Sequence, residues 1–196
     1  MRGPQVGAPG IFSGDTMKWL EVFEAQRARN RPGNRVQLAT VDEQGAPSLR
    51  TVVLRGFTRA GEPWFFTDAR TLKVAHVQQS PKVALLAWWE RTEDQFRLEG
   101  LATLHGSGAV GEAAVLRNTS WQRLGERRAA WLGPAPGSVL AAQTAPLAVE
   151  TPEPPETFVV VTVVVNRVDW LRLAGTHTRV RFTRAGDDWL REELVP

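Results

Sequence analysis

The sequence predicts a mainly β protein of the α+β class, a β-barrel with peripheral helices. Three observations point there. Short candidate strands recur at close spacing between turn residues, and helical periodicity is confined to a few segments. KVALLAWW (82–89) is nearly continuously apolar, as expected of a strand buried on both faces or facing a partner. TFVVVTVVVNRVDWLRL (157–173) is the strongest strand signal in the chain.

Residues 1–12 read as a loose tail. Ser13 or Asp15 can cap a helix over 15–29, with Trp19, Leu20 and Phe23 on one face, and NRPGN then breaks the chain. Strands follow at 35–41 and 48–57 around the turn EQGAP, and at 63–67 after TRAGE. DART leads into a helix over 71–79 that ends at Ser80-Pro81. Strands at 82–89 and 95–105 precede a helix over 110–124 and a short one at 126–132. The proline-rich stretch 133–157 reads as a loop crossing the surface rather than a boundary, so 1–196 is expected to form one domain. The strand 157–173 and a hairpin of 179–182 with 188–194 close the chain.

Composition narrows the chemistry. There is no cysteine, which excludes disulfides, thiolate catalysis and cysteine metal sites, and no tyrosine to act as acid, base or phosphate ligand. No apolar run approaches the ~18 residues of a membrane span, and the N-terminus lacks the apolar core of a secretory signal, so a cytoplasmic protein without a membrane partner is expected. Net charge is +3 and the pI about 10.1, which invites an anionic partner. The basic residues are spread along the chain, however, and only Lys18, Lys73 and Lys82 are lysines, so the charge reflects arginine usage and individual positions must carry the case.

Gly106-Ser107-Gly108-Ala109-Val110-Gly111 is a literal G-x-G-x-x-G between a strand and a helix. A dinucleotide fold needs a parallel strand soon after that helix, and none follows until about residue 157. His76, His105 and His177 lack metal-ligand spacing. His76 reads as a surface or packing residue of its helix.

The informative stretch is Arg50-Thr51-Val52-Val53-Leu54-Arg55, followed by Phe66-Thr67-Asp68 and Thr71-Leu72-Lys73. Two arginines on one strand, a hydroxyl ending the next, and a hydroxyl and lysine in a helix's first turn can converge on a phosphate. Arg50 and Arg55 are five apart and point to opposite faces of a regular strand. Trp88-Trp89 with Gln95, Arg97 and Glu99 forms a second stretch; a glutamine amide both donates and accepts, which suits a flavin edge.

These stretches, in order and spacing over about residues 35–105, together with VDW, RVRF and DWLREELVP near the C-terminus, resemble the pyridoxamine 5'-phosphate oxidase family. The resemblance implies a split β-barrel of the FMN-binding type, a homodimer and cofactor sites at the subunit interface. It implies that Arg50 to Arg55 line FMN, that Arg50 and Lys73 hold its phosphate with Thr67 and Thr71, and that Phe66 packs beside it. Gln95, Trp170 and Arg181 correspond to flavin contacts, some from the other subunit, and His177 and Arg179 to the substrate side. Leu72 stands where the oxidases carry an arginine, Arg55 replaces a lysine, and the substrate-phosphate tyrosine is missing. FMN-dependent oxidoreduction of a different small molecule is therefore the leading expectation. A flavin carrier or sensor without turnover is the second, and the same barrel binding a deazaflavin or haem is another. A nucleic-acid-binding barrel is disfavoured, because Trp88-Trp89 sits in a run too apolar for an exposed stacking face.

Overall fold

The computed structural model describes residues 10–11, 18–139 and 151–196. The Ser13 or Asp15 cap, most of the 1–12 tail and the middle of the 133–157 loop lie outside the described residues. The elements in chain order are β1 (Gly10–Ile11), α1 (Lys18–Arg29), β2 (Arg35–Val41), β3 (Pro47–Val53), β4 (Gly56–Phe57), β5 (Pro63–Asp68) and α2 (Leu72–Gln79). They continue as β6 (Lys82–Trp89), β7 (Asp94–His105), α3 (Gly111–Leu124), a 3₁₀ turn (Gly125–Arg128), α4 (Ala129–Leu132), β8 (Phe158–Arg172), β9 (Thr178–Ala185) and β10 (Asp188–Leu194). Gly10–Ile11 of the expected tail pairs with β10. The expected 48–57 strand is two strands, broken at Leu54-Arg55, where Leu54 N–H donates to Asn34 and Arg55 N–H to Trp64.

All strand pairings among the described residues are antiparallel, so the glycine-rich turn before α3 is no part of a parallel β-α-β unit. The sheet runs β1-β10-β9-β8-β7-β6-β2-β3, with β5 joined to β8 and β4. Because β3 also approaches β5, the path β3-β2-β6-β7-β8-β5 curls round as a split barrel. β8 serves both parts: Phe158–Thr162 pairs with β5, whereas Arg167–Arg172 pairs with β9.

Between those halves lies a bulge. Glu99 of β7 faces Arg167 and Gly100 faces Val165, which leaves Asn166 as an extra residue on β8. Before it, Val159, Val161, Val163 and Val165 enter the main core; after it, Val168 and the partly buried Trp170 do. The inward parity changes from odd to even. Gly100 is required there, since a Cβ would sit 2.2 Å from the Val164 carbonyl oxygen.

β6 alternates instead of burying both faces: Val83, Leu85, Ala87 and Trp89 are buried, while Ala84, Leu86 and Trp88 look outward. α1 contributes Trp19 and Phe23 to the core, where the Phe23 ring lies 5.0 Å from Trp89 and 5.1 Å from Phe96. Burying such rings contributes about 1.5–3 kcal/mol each, which docks a helix of only three turns. A second cluster on the opposite face of β5 and β8 joins Trp121 of α3 to Phe158 and Val160, with Phe66 and Trp131 against it. Arg117 is buried beneath it and donates to the carbonyls of Phe158, Pro154 and Pro155, fixing the chain entering β8.

Candidate cofactor site

β3 is held to β2 by a full ladder in which Arg50 lies opposite Leu38 and Ser48 opposite Thr40. Arg50 therefore rises from the core-facing side of β3, at the middle of the strand. Its Nη1 donates to the Leu38 carbonyl (3.1 Å) and the Thr40 hydroxyl (2.7 Å), and its Nη2 to the Ser48 hydroxyl. β5 brings Thr67 in on the same side as the buried Phe65. The chain then turns: the Asp68 carboxylate accepts from the Arg70 backbone N–H (2.8 Å), and the Thr71 hydroxyl donates to the Asp68 carbonyl (2.7 Å). α2 begins one residue later, and Lys73 in its first turn reaches back to donate to Thr67 Oγ1 at 3.0 Å.

Arg50, Thr67 and Lys73 thus converge from three elements. Burial and the nearby Arg50 charge push the Lys73 ammonium below its ordinary value, and Asp68 partly offsets this. Burial likewise lowers Arg50. Asp68 does not neutralise the pair, because both its oxygens receive the Arg70 guanidinium. Among the described residues neither Arg50, Lys73 nor Arg55 takes part in an ion pair. Two desolvated cations bonded only to neutral acceptors make an anion site, and a phosphate monoester fits that donor set. Thr71 donates its hydroxyl hydrogen to the Asp68 carbonyl and leaves the start of α2 without a side-chain cap, so the helix end offers its backbone N–H groups beside the two cations.

The other residues of 50–55 divide by face. Thr51 and Val53 look outward, while Val52 and Leu54 are core residues. Arg55 leaves the strand and lies over the Phe66 ring, 4.1 Å from its centroid, on the outer side of β5. Burial and the charge of Arg127 lower its guanidinium. Arg50 and Arg55 accordingly occupy different sides of the sheet.

Gln95, Trp170 and Arg181 are not brought to this cluster, nor to one face. Gln95 of β7 pairs with Leu171, and Arg181 of β9 pairs with Asp169; all four lie on the outer side. Trp170 turns the other way. It stacks on Phe96 at 5.8 Å and donates from Nε1 to the buried Asp94 carboxylate (2.8 Å), to which Arg172 also donates (3.0 Å). It is Leu171, opposite Gln95, that shares the outer face. Arg181 keeps a buried Nε without a partner among the described residues. Arg179 is held by Asp169 through two bonds of 3.1 Å, and Arg97 reaches the same carboxylate at 3.2 Å. His177 is exposed in the turn between β8 and β9.

Thr40, Ser48 and His76 belong to the Arg50 surroundings, yet the sequence reading omits the first two and treats His76 as peripheral. Their hydroxyl and imidazole types were visible; what brings them together is the β2–β3 register and the docking of α2 on β2. His105 bonds Thr162 at 3.0 Å, and burial keeps its imidazole below the ordinary value, only partly offset by Glu62. No cluster of metal-binding side chains occurs among the described residues, and no described helix is long and apolar enough to cross a membrane.

Residues 16–106 match the family described as pyridoxamine 5'-phosphate oxidase, FMN-binding domain. The pyridoxine/pyridoxamine 5'-phosphate oxidase of Haemophilus influenzae (strain 86-028NP) is 30% identical over 192 residues, covering 88% of this chain and 84% of the relative. A pyridoxamine 5'-phosphate oxidase-related, FMN-binding protein from Nostoc punctiforme PCC 73102 superimposes with a TM-score of 0.83 at 29% identity, over 91% of this chain and 98% of that one. PhzG from Burkholderia lata 383, solved with tetrahydrophenazine-1-carboxylic acid, shares the fold at a TM-score of 0.75 and 20% identity, covering 97% and 100% of the two chains.

Proposed function

Since the chain belongs to the pyridoxamine 5'-phosphate oxidase family, we propose that it is an FMN-binding flavoprotein acting as an oxidoreductase on a small molecule in the cytoplasm. The observation that carries this reading is the convergence of Arg50, Lys73 and Thr67 on one spot, with no carboxylate among the described residues bonded to either cation. FMN, when bound, supplies the hydride or electron transfer. The chain's own residues grip and orient. Arg50 and Lys73 hold the phosphate, with the start of α2 and the Thr67 hydroxyl beside them. Gln95 and the Arg181 guanidinium offer polar contacts to the ring system.

Those two groups of residues lie on opposite sides of the sheet, and the reading therefore requires a homodimer in which one protomer supplies the phosphate grip and its partner the Gln95 face. The outward Ala84, Leu86 and Trp88, the last 45% exposed, give that face an apolar strip suited to a second copy. Arg55, with Arg127 near it, favours a substrate bearing an acidic group. Arg179 is already neutralised by Asp169 and serves the substrate less directly.

The visible spectrum of purified protein, before and after adding FMN, tests this. Flavin bands that survive desalting and weaken in Arg50→Ala/Lys73→Ala support it; protein that takes up no FMN overturns it. Oxidation of an added reduced nicotinamide or amine then separates an enzyme from a flavin carrier.

A further inference from the structure

Arg50 is not oriented by its strand alone. Three of its five guanidinium N–H groups are committed to neutral acceptors: the Leu38 carbonyl, the Thr40 hydroxyl and the Ser48 hydroxyl. This leaves Nε–H and one Nη2–H for a ligand. The Thr40 contact is the shorter of the two made by Nη1, and Thr40 is buried, at 2% exposure. Arginine cannot accept a hydrogen bond, so Thr40 must accept from it with a lone pair. The single hydroxyl hydrogen of Thr40 is then free to point elsewhere, and His76 Nδ1 on α2 lies 2.9 Å away. The network assigns the hydrogen of Thr40 to Nδ1 and the ring hydrogen of His76 to Nε2.

We infer that Thr40 and His76 form a positioning relay, in which His76 fixes the Thr40 rotor and Thr40 holds the Arg50 guanidinium in the orientation that grips the cofactor phosphate. The relay rests on the FMN reading given above. It ties α2, whose first turn carries Lys73, to the strand that carries Arg50, so the two cations are set by one hydrogen-bonded frame spanning β3, β2 and α2. A long arginine side chain has several rotamers to lose on binding, and a frame that removes them beforehand raises affinity without touching the ligand. Its effect is specific to the phosphate and should not extend to the flavin ring.

That specificity is the test. Dissociation constants for FMN and for riboflavin, which lacks the phosphate, are measured by fluorescence quenching for the wild type, Arg50→Ala, Thr40→Val, His76→Ala and His76→Gln, alongside melting temperatures. Thr40→Val keeps the side-chain shape and loses the hydroxyl. The relay predicts that Thr40→Val and His76→Ala each weaken FMN about tenfold and leave riboflavin unchanged. It predicts that their double variant is no worse than the more damaging single one, since both act through one chain of bonds. His76→Gln, whose amide oxygen can accept from Thr40, restores most of the affinity. Equal losses for FMN and riboflavin would show a structural role and overturn the relay. So would wild-type FMN binding in Thr40→Val and His76→Ala while Arg50→Ala binds poorly. If Arg50→Ala itself binds FMN normally, the phosphate grip falls and the relay with it.

Discussion

Lys73 Nζ donates to Thr67 Oγ1 over 3.0 Å, joining the first turn of α2 to the end of β5. The acceptor is neutral, so the ammonium keeps its charge for a ligand, while burial and Arg50 hold its pKa below the ordinary lysine value. The sign follows from proton binding. A lysine depressed on folding binds its proton less well in the folded state, so the ligand-free protein gains stability as pH rises through the folded value towards the unfolded one. A bound phosphate favours the protonated form. FMN affinity should therefore fall as pH rises on the acid side of the ordinary lysine range, and fall less in Lys73→Gln. Parallel titration curves for the two proteins would rule this out.

Asp169 titrates in a different window. Its burial raises the carboxyl, but the hydrogen bonds and charges of Arg179 and Arg97 outweigh that and hold it below the usual carboxylate range. A depressed carboxylate stabilises the fold above its unfolded pKa, and that contribution is lost as pH falls below about 4. Asp169→Asn should cost about 2 kcal/mol near neutral pH, given that both arginines are partly exposed, and should flatten the acid limb of the stability curve. Urea unfolding at several pH values measures both.

Arg55 and Phe66 divide their roles unequally. Phe66 packs with Phe158 at 5.1 Å and Trp131 at 5.8 Å, so Phe66→Ala should lower stability by about 3 kcal/mol. Arg55→Ala removes a cation over the ring and should cost under about 1 kcal/mol. An inverted order in thermal or urea unfolding would contradict the packing described for this face.

Ala84, Leu86 and Trp88 carry the predicted contact between copies. Light scattering of the wild type should give about twice the 21.7 kDa chain mass. Leu86→Glu should shift it towards the monomer and weaken FMN binding in parallel, because the proposed site needs both protomers. A Leu86→Glu monomer with intact FMN affinity would separate the site from the dimer.

The fold was legible wherever a local pattern decides it. The strands at 35–41 and 82–89 were readable to the residue, the first from apolar alternation and the second from a continuous apolar run between turns, a run that hid which of its faces looks outward. The Gly45 turn between β2 and β3 was readable too, with a backbone φ of +80° that glycine accepts freely. Arg50, Thr67 and Lys73 were accessible through order and spacing. Thr40 and His76 were not, because their nearness to Arg50 depends on a strand register and a helix docking that no local window contains. Nor was the side taken by Trp170. Counting by twos from the buried valines of β8 places odd residues inward, whereas Val168 and Trp170 are inward instead.

Asn166 is the cause, one residue more on β8 than β7 has to oppose it. It works as a half-period phase shift inserted into an alternating signal. The side chain itself is exposed, so exchanging it for another polar residue should be almost silent. Removing the residue altogether should straighten the strand and leave every downstream side chain on its present face, because Val165, Arg167 and Val168 then alternate regularly. Taken into the ladder as an ordinary residue instead of bulged out, Asn166 would drive Asp169 and Leu171 inward and Val168 and Trp170 outward, leaving Arg97 and Arg179 without their counter-ion.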